Sequence, residues 1–189
     1  MPLGAARFGL LGGVADLGKL ELIDTQTYTS GVPDIDFTSI NESTYNVHFM
    51  TISNLQCSAA SQSIGIQFYE SGVLETASVY QFANQYVSSA GGFGEPKSTG
   101  YPQIRLFSTG SQAINGINAY IYFYNLGDSS KYSFTTMEHF MEANTNVFSA
   151  YFGSGVLPQA STVDGIRIDN DAANNFTSFD ISLYGIAES

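Results

Sequence analysis

Hydrophobic and polar residues alternate with a period of two along much of the chain. The clearest alternation, in residues 117–126, sets Ile117, Ala119, Ile121 and Phe123 against Asn118, Tyr120, Tyr122 and Tyr124. The same period recurs in residues 44–53, 63–69 and 176–186. Because successive side chains of a β-strand point to opposite faces of a sheet, this pattern predicts strands that each bury one face.

Less regular runs add further strands, separated by turn residues. These runs cover residues 19–28, 35–39, 103–107, 132–140, 146–152 and 165–168, while residues 79–87 fit a short helix and a strand equally well. Turns are expected at Gly-rich and Asn-rich positions, including Gly153 and Gly155. Loops are expected at residues 71–78, 88–100 and 157–164. Many short strands with regular turns predict an all-β fold, an antiparallel two-sheet sandwich of jelly-roll type.

The first 17 residues differ from the rest and predict an extended N-terminal arm before a sandwich domain at residues 18–189. A secretory signal is not expected, because the single charge lies inside the apolar stretch rather than before it. The stretch is also shorter than a membrane helix. We expect the arm to dock on a neighbouring subunit, with packing on its own domain as the alternative. Its candidate interface residues are Leu3, Arg7, Phe8, Leu10, Leu11 and Val14.

The low content of charged residues and the negative net charge limit the kinds of partner that we expect. Only 12% of the residues are charged, against about 25% in an ordinary domain. The net charge is −11, so phosphate backbones of nucleic acids and anionic membranes are not expected as partners. A weakly charged surface suits a subunit that lies against other proteins. The single cysteine, Cys57, is expected to be a small buried residue without a disulfide partner.

The sequence contains no recognised catalytic motif, and we expect no enzymatic activity and no cofactor. His139 adjoins Glu138 in a predicted strand, so the two side chains point to opposite faces and cannot share a site. His48 is likewise expected to be structural or on the surface. Asp34 and Asp36 share a predicted strand face, so glycoside hydrolysis by a pair of carboxylates is kept as a minor alternative. The other carboxylate pairs considered are Glu70 with Glu75 and Glu138 with Glu142.

No metal site is expected. The densest acidic stretch is residues 164–171, DGIRIDND; no glycine follows Asp171 and no glutamate closes a twelve-residue loop, as a calcium-binding EF-hand requires. We interpret it as a solvated turn-forming cluster.

Three tyrosines on one predicted strand face form the strongest binding candidate. Tyr120, Tyr122 and Tyr124 would lie side by side along that face. Tyrosine is enriched at protein interfaces and also stacks on sugars. We favour a protein interface and keep glycan binding as the alternative.

Seven segments resemble small structural proteins of marine and cyanobacterial tailed bacteriophages. They are MPLGAARFG (1–9), GKLELI (18–23), YNVHFMT (45–51), YFYNL (122–126), SKYSF (130–134), YFGSGV (151–156) and ISLYGI (181–186). The resemblance implies a virion component assembled in the host cytoplasm, most simply a capsid decoration or cement protein. Its implied partners are the major capsid protein or tail proteins, and copies of itself in a homo-oligomer, with a trimer favoured. A tail or fibre module that binds host-surface glycan is the alternative.

Overall fold

The computed structural model describes residues 19–59, 63–108, 116–144, 147–170 and 174–187. Within these ranges the chain is built from strands and short turns. The strands are β1 Lys19–Tyr28, β2 Ile35–Phe37, β3 Val47–Cys57, β4 Ser63–Glu70, β5 Val73–Leu74, β6 Tyr80–Ser88, β7 Phe93–Gly94, β8 Lys97–Tyr101, β9 Ile104–Ser108, β10 Ile117–Tyr124, β11 Ser133–Asn144, β12 Val147–Leu157, β13 Val163–Asn170 and β14 Phe176–Ala187. None of the described residues forms a helix that could cross a membrane. The predicted arm at residues 1–17 lies outside the described ranges.

The strands form two antiparallel sheets, which confirms the predicted all-β sandwich. The large sheet has the order β1-β14-β3-β10-β11-β12-β6-β7, and β8 also pairs with β6. The small sheet has the order β2-β13-β4-β5, and β9 also pairs with β4.

The strand order is nested in the manner of a jelly roll. The first strand pairs with the last, β1 with β14, and the second with the second-last, β2 with β13. Inside these pairs, β3 pairs with β10 and β4 with β9. Eight strands therefore make the double-sheet roll. The β11–β12 hairpin, together with β6, β7 and β8, extends the large sheet beyond it.

The core lies between the two sheets and follows the predicted alternation. In β10, Ile117, Ala119, Ile121 and Phe123 are buried, whereas the three tyrosines between them point outward. Buried residues of the small sheet that face them include Ile66, Phe68, Ile104, Ile166 and Ile168. Cys57 is buried as expected, and burial raises the pKa of its thiol to about 12.

Several sequence expectations need correction. The predicted loops at 71–78 and 88–100 are wrong in part, because they contain the short strands β5, β7 and β8. Residues 79–87, which fitted a helix and a strand equally well, lie almost entirely in the strand β6 Tyr80–Ser88. Gly153 and Gly155 lie inside β12, not in a turn. A Cβ at Gly153 would stand 1.8 Å from Asn84 Oδ1, and one at Gly155 would stand 2.3 Å from a methyl carbon of Ile104. These glycines allow close packing, which turn statistics do not reveal.

Candidate functional site: the outer aromatic face

The solvent side of the large sheet carries nine aromatic residues across neighbouring strands. Residues paired in register share a side of an antiparallel sheet. Tyr184 of β14 pairs with Phe49 of β3, and Phe49 pairs with Tyr122 of β10. We call this surface the outer aromatic face; it comprises Phe49, Tyr120, Tyr122, Tyr124, Phe134, Phe140, Phe148, Phe152 and Tyr184.

The predicted tyrosine stripe forms the centre of this face. The ring centroids of Tyr122 and Tyr124 lie 6.4 Å apart with the rings nearly parallel, and those of Tyr120 and Tyr122 lie 6.5 Å apart. Phe49 packs 4.7 Å from Tyr122 and 6.2 Å from Tyr184, so the stripe continues across two further strands. The structure thus brings the three predicted tyrosines together and adds two rings to them.

Two of the tyrosine hydroxyls bind side chains of β11. Tyr120 donates a hydrogen bond to Glu138, which raises the pKa of the tyrosine. The hydroxyl of Tyr124 lies 3.2 Å from that of Thr136. These bonds join the stripe to the neighbouring strand β11.

Four phenylalanines on the hairpin were not identified from the sequence. Phe134, Phe140, Phe148 and Phe152 are 43%, 39%, 52% and 45% exposed. The signal was present, because Phe134 and Phe140 have the parity opposite to the buried Met137 and His139. The sequence alone does not show which residues of β12 share a side with Phe134 and Phe140. The hairpin register shows it, because Glu138, which has the same parity as these two residues, pairs with Phe152.

An apolar groove borders the face where β8 folds along β6. It has a volume of about 640 Å³, and its walls include Ala83, Thr99, Phe134, Gly155 and Val156. The exposed apolar side chains therefore lie beside a concave apolar surface.

The two histidines lie in the core. His48 is fully buried with its ring Nε2 2.7 Å from the carbonyl oxygen of Ile40, and burial lowers its pKa. His139 is buried against Tyr151, with ring centroids 4.5 Å apart, and burial lowers its pKa to about 3. His139 and Glu138 lie on opposite sides of β11, as predicted.

Asp34 and Asp36 bind one arginine. Arg167 donates to both carboxylate oxygens of Asp36, at 2.7 and 2.9 Å, and its guanidinium lies 3.3 Å from Asp34. The hydroxyl of Tyr69 donates to Asp36 at 2.9 Å and accepts a hydrogen bond from Arg167. The hydrogen bond to Asp36 is the main cause of the raised pKa of Arg167. Both carboxylates therefore serve an ion-pair network that joins β2 to β13.

The acidic stretch that begins at Asp164 does not gather a metal-binding group in the described part. Asp164 Oδ2 accepts a hydrogen bond from the amide of Gly72 at 2.8 Å. Arg167, within the stretch, is held by the Asp34 and Asp36 pair. Across the described ranges, no three His, Cys, Asp or Glu side chains converge on a point that could hold a metal ion. Asp171 lies outside those ranges.

The candidate arm residues cannot be placed on this surface. Leu3, Arg7, Phe8, Leu10, Leu11 and Val14 all lie outside the described residues.

Comparisons with known proteins give no family. No family model matches the chain, and no curated protein matches it. Among solved structures, the chain is weakly similar to a fructofuranosidase from Schwanniomyces occidentalis, with a TM-score of 0.18 and 5% identity. That match covers 90% of this chain and 34% of the other, so the chain spans about a third of that protein's length. At this TM-score the likeness carries no argument about fold or activity.

Proposed function

We propose that this chain is a structural protein of a tailed bacteriophage particle, which decorates or cements the capsid through protein–protein contacts. The observation that carries the proposal is the outer aromatic face. The phage setting rests on the sequence resemblance, and the jelly-roll arrangement suits it because this architecture is common in viral capsid domains.

The size of the face supports an assembly role. Five rings of the face are 39–52% exposed, namely Tyr120, Phe134, Phe140, Phe148 and Phe152. Because a phenylalanine or tyrosine side chain can bury roughly 200 Å², these five rings together expose on the order of 400 Å². Leu20 and Leu22, exposed at 50% and 61%, extend the same side of the sheet at β1. An apolar patch of this size is comparable to the largest patch on a typical monomeric protein, which is often functional.

The chemistry of the face also favours a protein partner. On the hairpin its charged neighbours are Glu138 and Glu142, and Glu95 and Lys97 lie at its border beside Phe152, so charges are few among nine aromatic rings. Interface centres are enriched in Tyr and Phe and depleted in charge. The proposed partners are copies of this chain, which assemble as a trimer, and a capsid protein. Residues 1–17 would provide a second contact with a neighbouring subunit.

The first experiment removes two rings from the face. The double variant Phe140→Ser, Phe152→Ser is expected to sediment as a monomer, whereas the wild-type chain sediments as an oligomer. Val73→Ser is the matched control, because Val73 is 70% exposed but belongs to the small sheet. An unchanged oligomer in the double variant contradicts the interface.

The second experiment tests the particle. Repeated weak contacts on a lattice require many copies, so we expect hundreds per particle and density on the capsid by electron microscopy. Deleting residues 1–17 is expected to abolish attachment. A few copies confined to the tail would exclude decoration, and normal attachment of the shortened chain would exclude the arm.

A tail or fibre module that binds host-surface glycan is the second candidate. The open tyrosine stripe favours it, because Tyr122 and Tyr124 offer nearly parallel rings to a flat ligand. Binding on a glycan array that is lost in Tyr122→Ala and kept in Val73→Ser would support this function over the first.

A further inference from the structure

A cleft at the open end of the sandwich carries polar groups that the fold does not use. It has a volume of about 350 Å³ and lies where β9, the edge of the small sheet, meets β6 and β12 of the large sheet. We call it the Arg105 cleft; it is lined by Asn84, Tyr86, Glu95, Pro96, Arg105, Leu106 and Tyr151.

Arg105 is the unusual residue of the cleft. Of the five lysines and arginines in the described ranges, Lys19, Lys97, Lys131 and Arg167 each bind a carboxylate. Arg105 has no carboxylate partner and no side-chain hydrogen bond among the described residues, although the chain carries a net charge of −11. Arg105 is a partly buried residue that lines the cleft, so an anion that enters the cleft could reach it.

A hydrogen bond and two ring stacks join the walls around Arg105. Asn84 Nδ2 donates to the carbonyl oxygen of Arg105 at 2.8 Å and so ties β6 to β9. The rings of Tyr86 and Tyr151 stack at 5.1 Å, and Tyr151 stacks in turn on the buried His139. A ligand would meet a prearranged site, which lowers the entropy cost of binding.

The two tyrosines add unused hydrogen-bonding groups. The ring faces of Tyr86 and Tyr151 are occupied by each other, so their hydroxyls remain for a ligand, and neither has a hydrogen-bond partner among the described residues. The positive charge of Arg105 acts on Tyr151, where it opposes the rise in pKa caused mainly by burial and also by Tyr86. The guanidinium and the Tyr151 hydroxyl therefore belong to the same local environment.

Charge and size define the ligand class. We propose that the Arg105 cleft binds a small hydroxylated monocarboxylate, of the uronic acid class. A guanidinium matches the two oxygens of a carboxylate, and one positive charge beside Glu95 suits a monoanion better than a phosphate dianion. The tyrosine hydroxyls can bind sugar hydroxyls, and so can the carboxylate of Glu95, which also forms an exposed ion pair with Lys97 at 3.7 Å. The volume lies at the small end of ligand sites, near one monosaccharide. This site is separate from the outer aromatic face and does not depend on the proposed assembly role.

Titration calorimetry with glucuronate on the full chain tests the proposal. We expect saturable binding, weaker by about tenfold or more in Arg105→Gln and by a smaller factor in Tyr151→Phe, which keeps the ring stack. Lys131→Gln is the matched control, since it removes the same charge at an exposed turn. Thermal unfolding of each variant confirms that it is folded. Arg105→Lys keeps the positive charge but removes the planar guanidinium, so it separates the effect of shape from that of charge.

Each other outcome overturns the proposal. If millimolar glucuronate produces no heat of binding, the proposed site does not exist. If glucose binds as tightly as glucuronate, the carboxylate has no role in binding. If inorganic phosphate binds more tightly than glucuronate, the cleft belongs to another anion. An equal loss in Lys131→Gln would show general electrostatic attraction. Oligomer formation in Arg105→Gln is expected to be unchanged, so this test and the test of the outer aromatic face can fail independently.

Discussion

At the scale of single residues, the described part of the chain concentrates its few charges into local networks. The largest joins Arg167 to Asp34 and Asp36, with side chains that are only 22–34% exposed. Partial burial raises the cost of leaving a charge without a partner. Losing the arginine would leave two carboxylates side by side and one tyrosine hydroxyl without its donor.

Arg167→Met is therefore expected to lower the free energy of unfolding by about 1–3 kcal/mol, the range for hydrogen bonds to charged groups. Urea unfolding measures it. Lys131→Met is the control, because its ion pair with Asp128 is exposed and should contribute less than about 1 kcal/mol. Equal losses in the two variants would contradict the structural weight given to the Arg167 network.

The buried histidines predict a loss of stability in acid. Both pKa values are lowered in the folded chain, that of His139 to about 3, so the unfolded chain takes up protons first as the pH falls below about 6.5. Stability is then fully present above about pH 6.5 and falls below it; for His139 the fall continues to about pH 3, by up to about 1.4 kcal/mol per pH unit. His139→Phe keeps the ring stack without a titrating group and should make this slope smaller in unfolding experiments at pH 7 and 5. An unchanged slope would assign the acid sensitivity to other groups.

At the scale of strands, the sequence predicts single faces well and pairings poorly. The alternation in β10 and β14 identifies the buried sides, because the core accepts only one parity. The hairpin phenylalanines were not identified because the side they occupy depends on which strand lies opposite. Gly153, Gly155 and Gly185 raise a related problem: a glycine required for close packing looks in sequence like a turn.

Gly185→Ala tests that packing role in β14. A Cβ there would lie 2.3 Å from ring atoms of Tyr45, whose hydroxyl donates to Glu21 of β1 at 2.7 Å. We expect a loss of about 1–3 kcal/mol in stability by thermal or urea unfolding, as for other overpacked sites. Ser182→Ala in the same strand removes an exposed hydroxyl that lies 2.9 Å from that of Thr25, and should cost less, about 0.5–1 kcal/mol. A stable Gly185→Ala protein would mean that Tyr45 can move aside freely.

At the scale of the molecule, the jelly roll and its extension have different roles. The nested eight strands enclose the core, and the β11–β12 hairpin with β6 widens one sheet, whose outer side is covered by no other described strand. Most of the exposed phenylalanines lie on this extension. Sequence patterns predicted the sandwich because they report local burial, whereas the extension is a property of pairings distant in sequence.

Refolding should be slow because the register joins Lys19 to Ala187 and other residues far apart in sequence. Domains dominated by such pairings fold in milliseconds to seconds, not microseconds. Stopped-flow dilution from urea, followed by tyrosine fluorescence, measures the rate. Refolding complete within microseconds would contradict a transition state that requires the nested pairs.

The pairing of β1 with β14 also sets the order of events during synthesis. The ribosome releases β1 well before β14, so the large sheet cannot close until β14 has left the exit tunnel. Until then, β1 and β3 lack the strand that lies between them. The nascent chain thus carries unpaired strand edges, a state prone to aggregation in which chaperones commonly act.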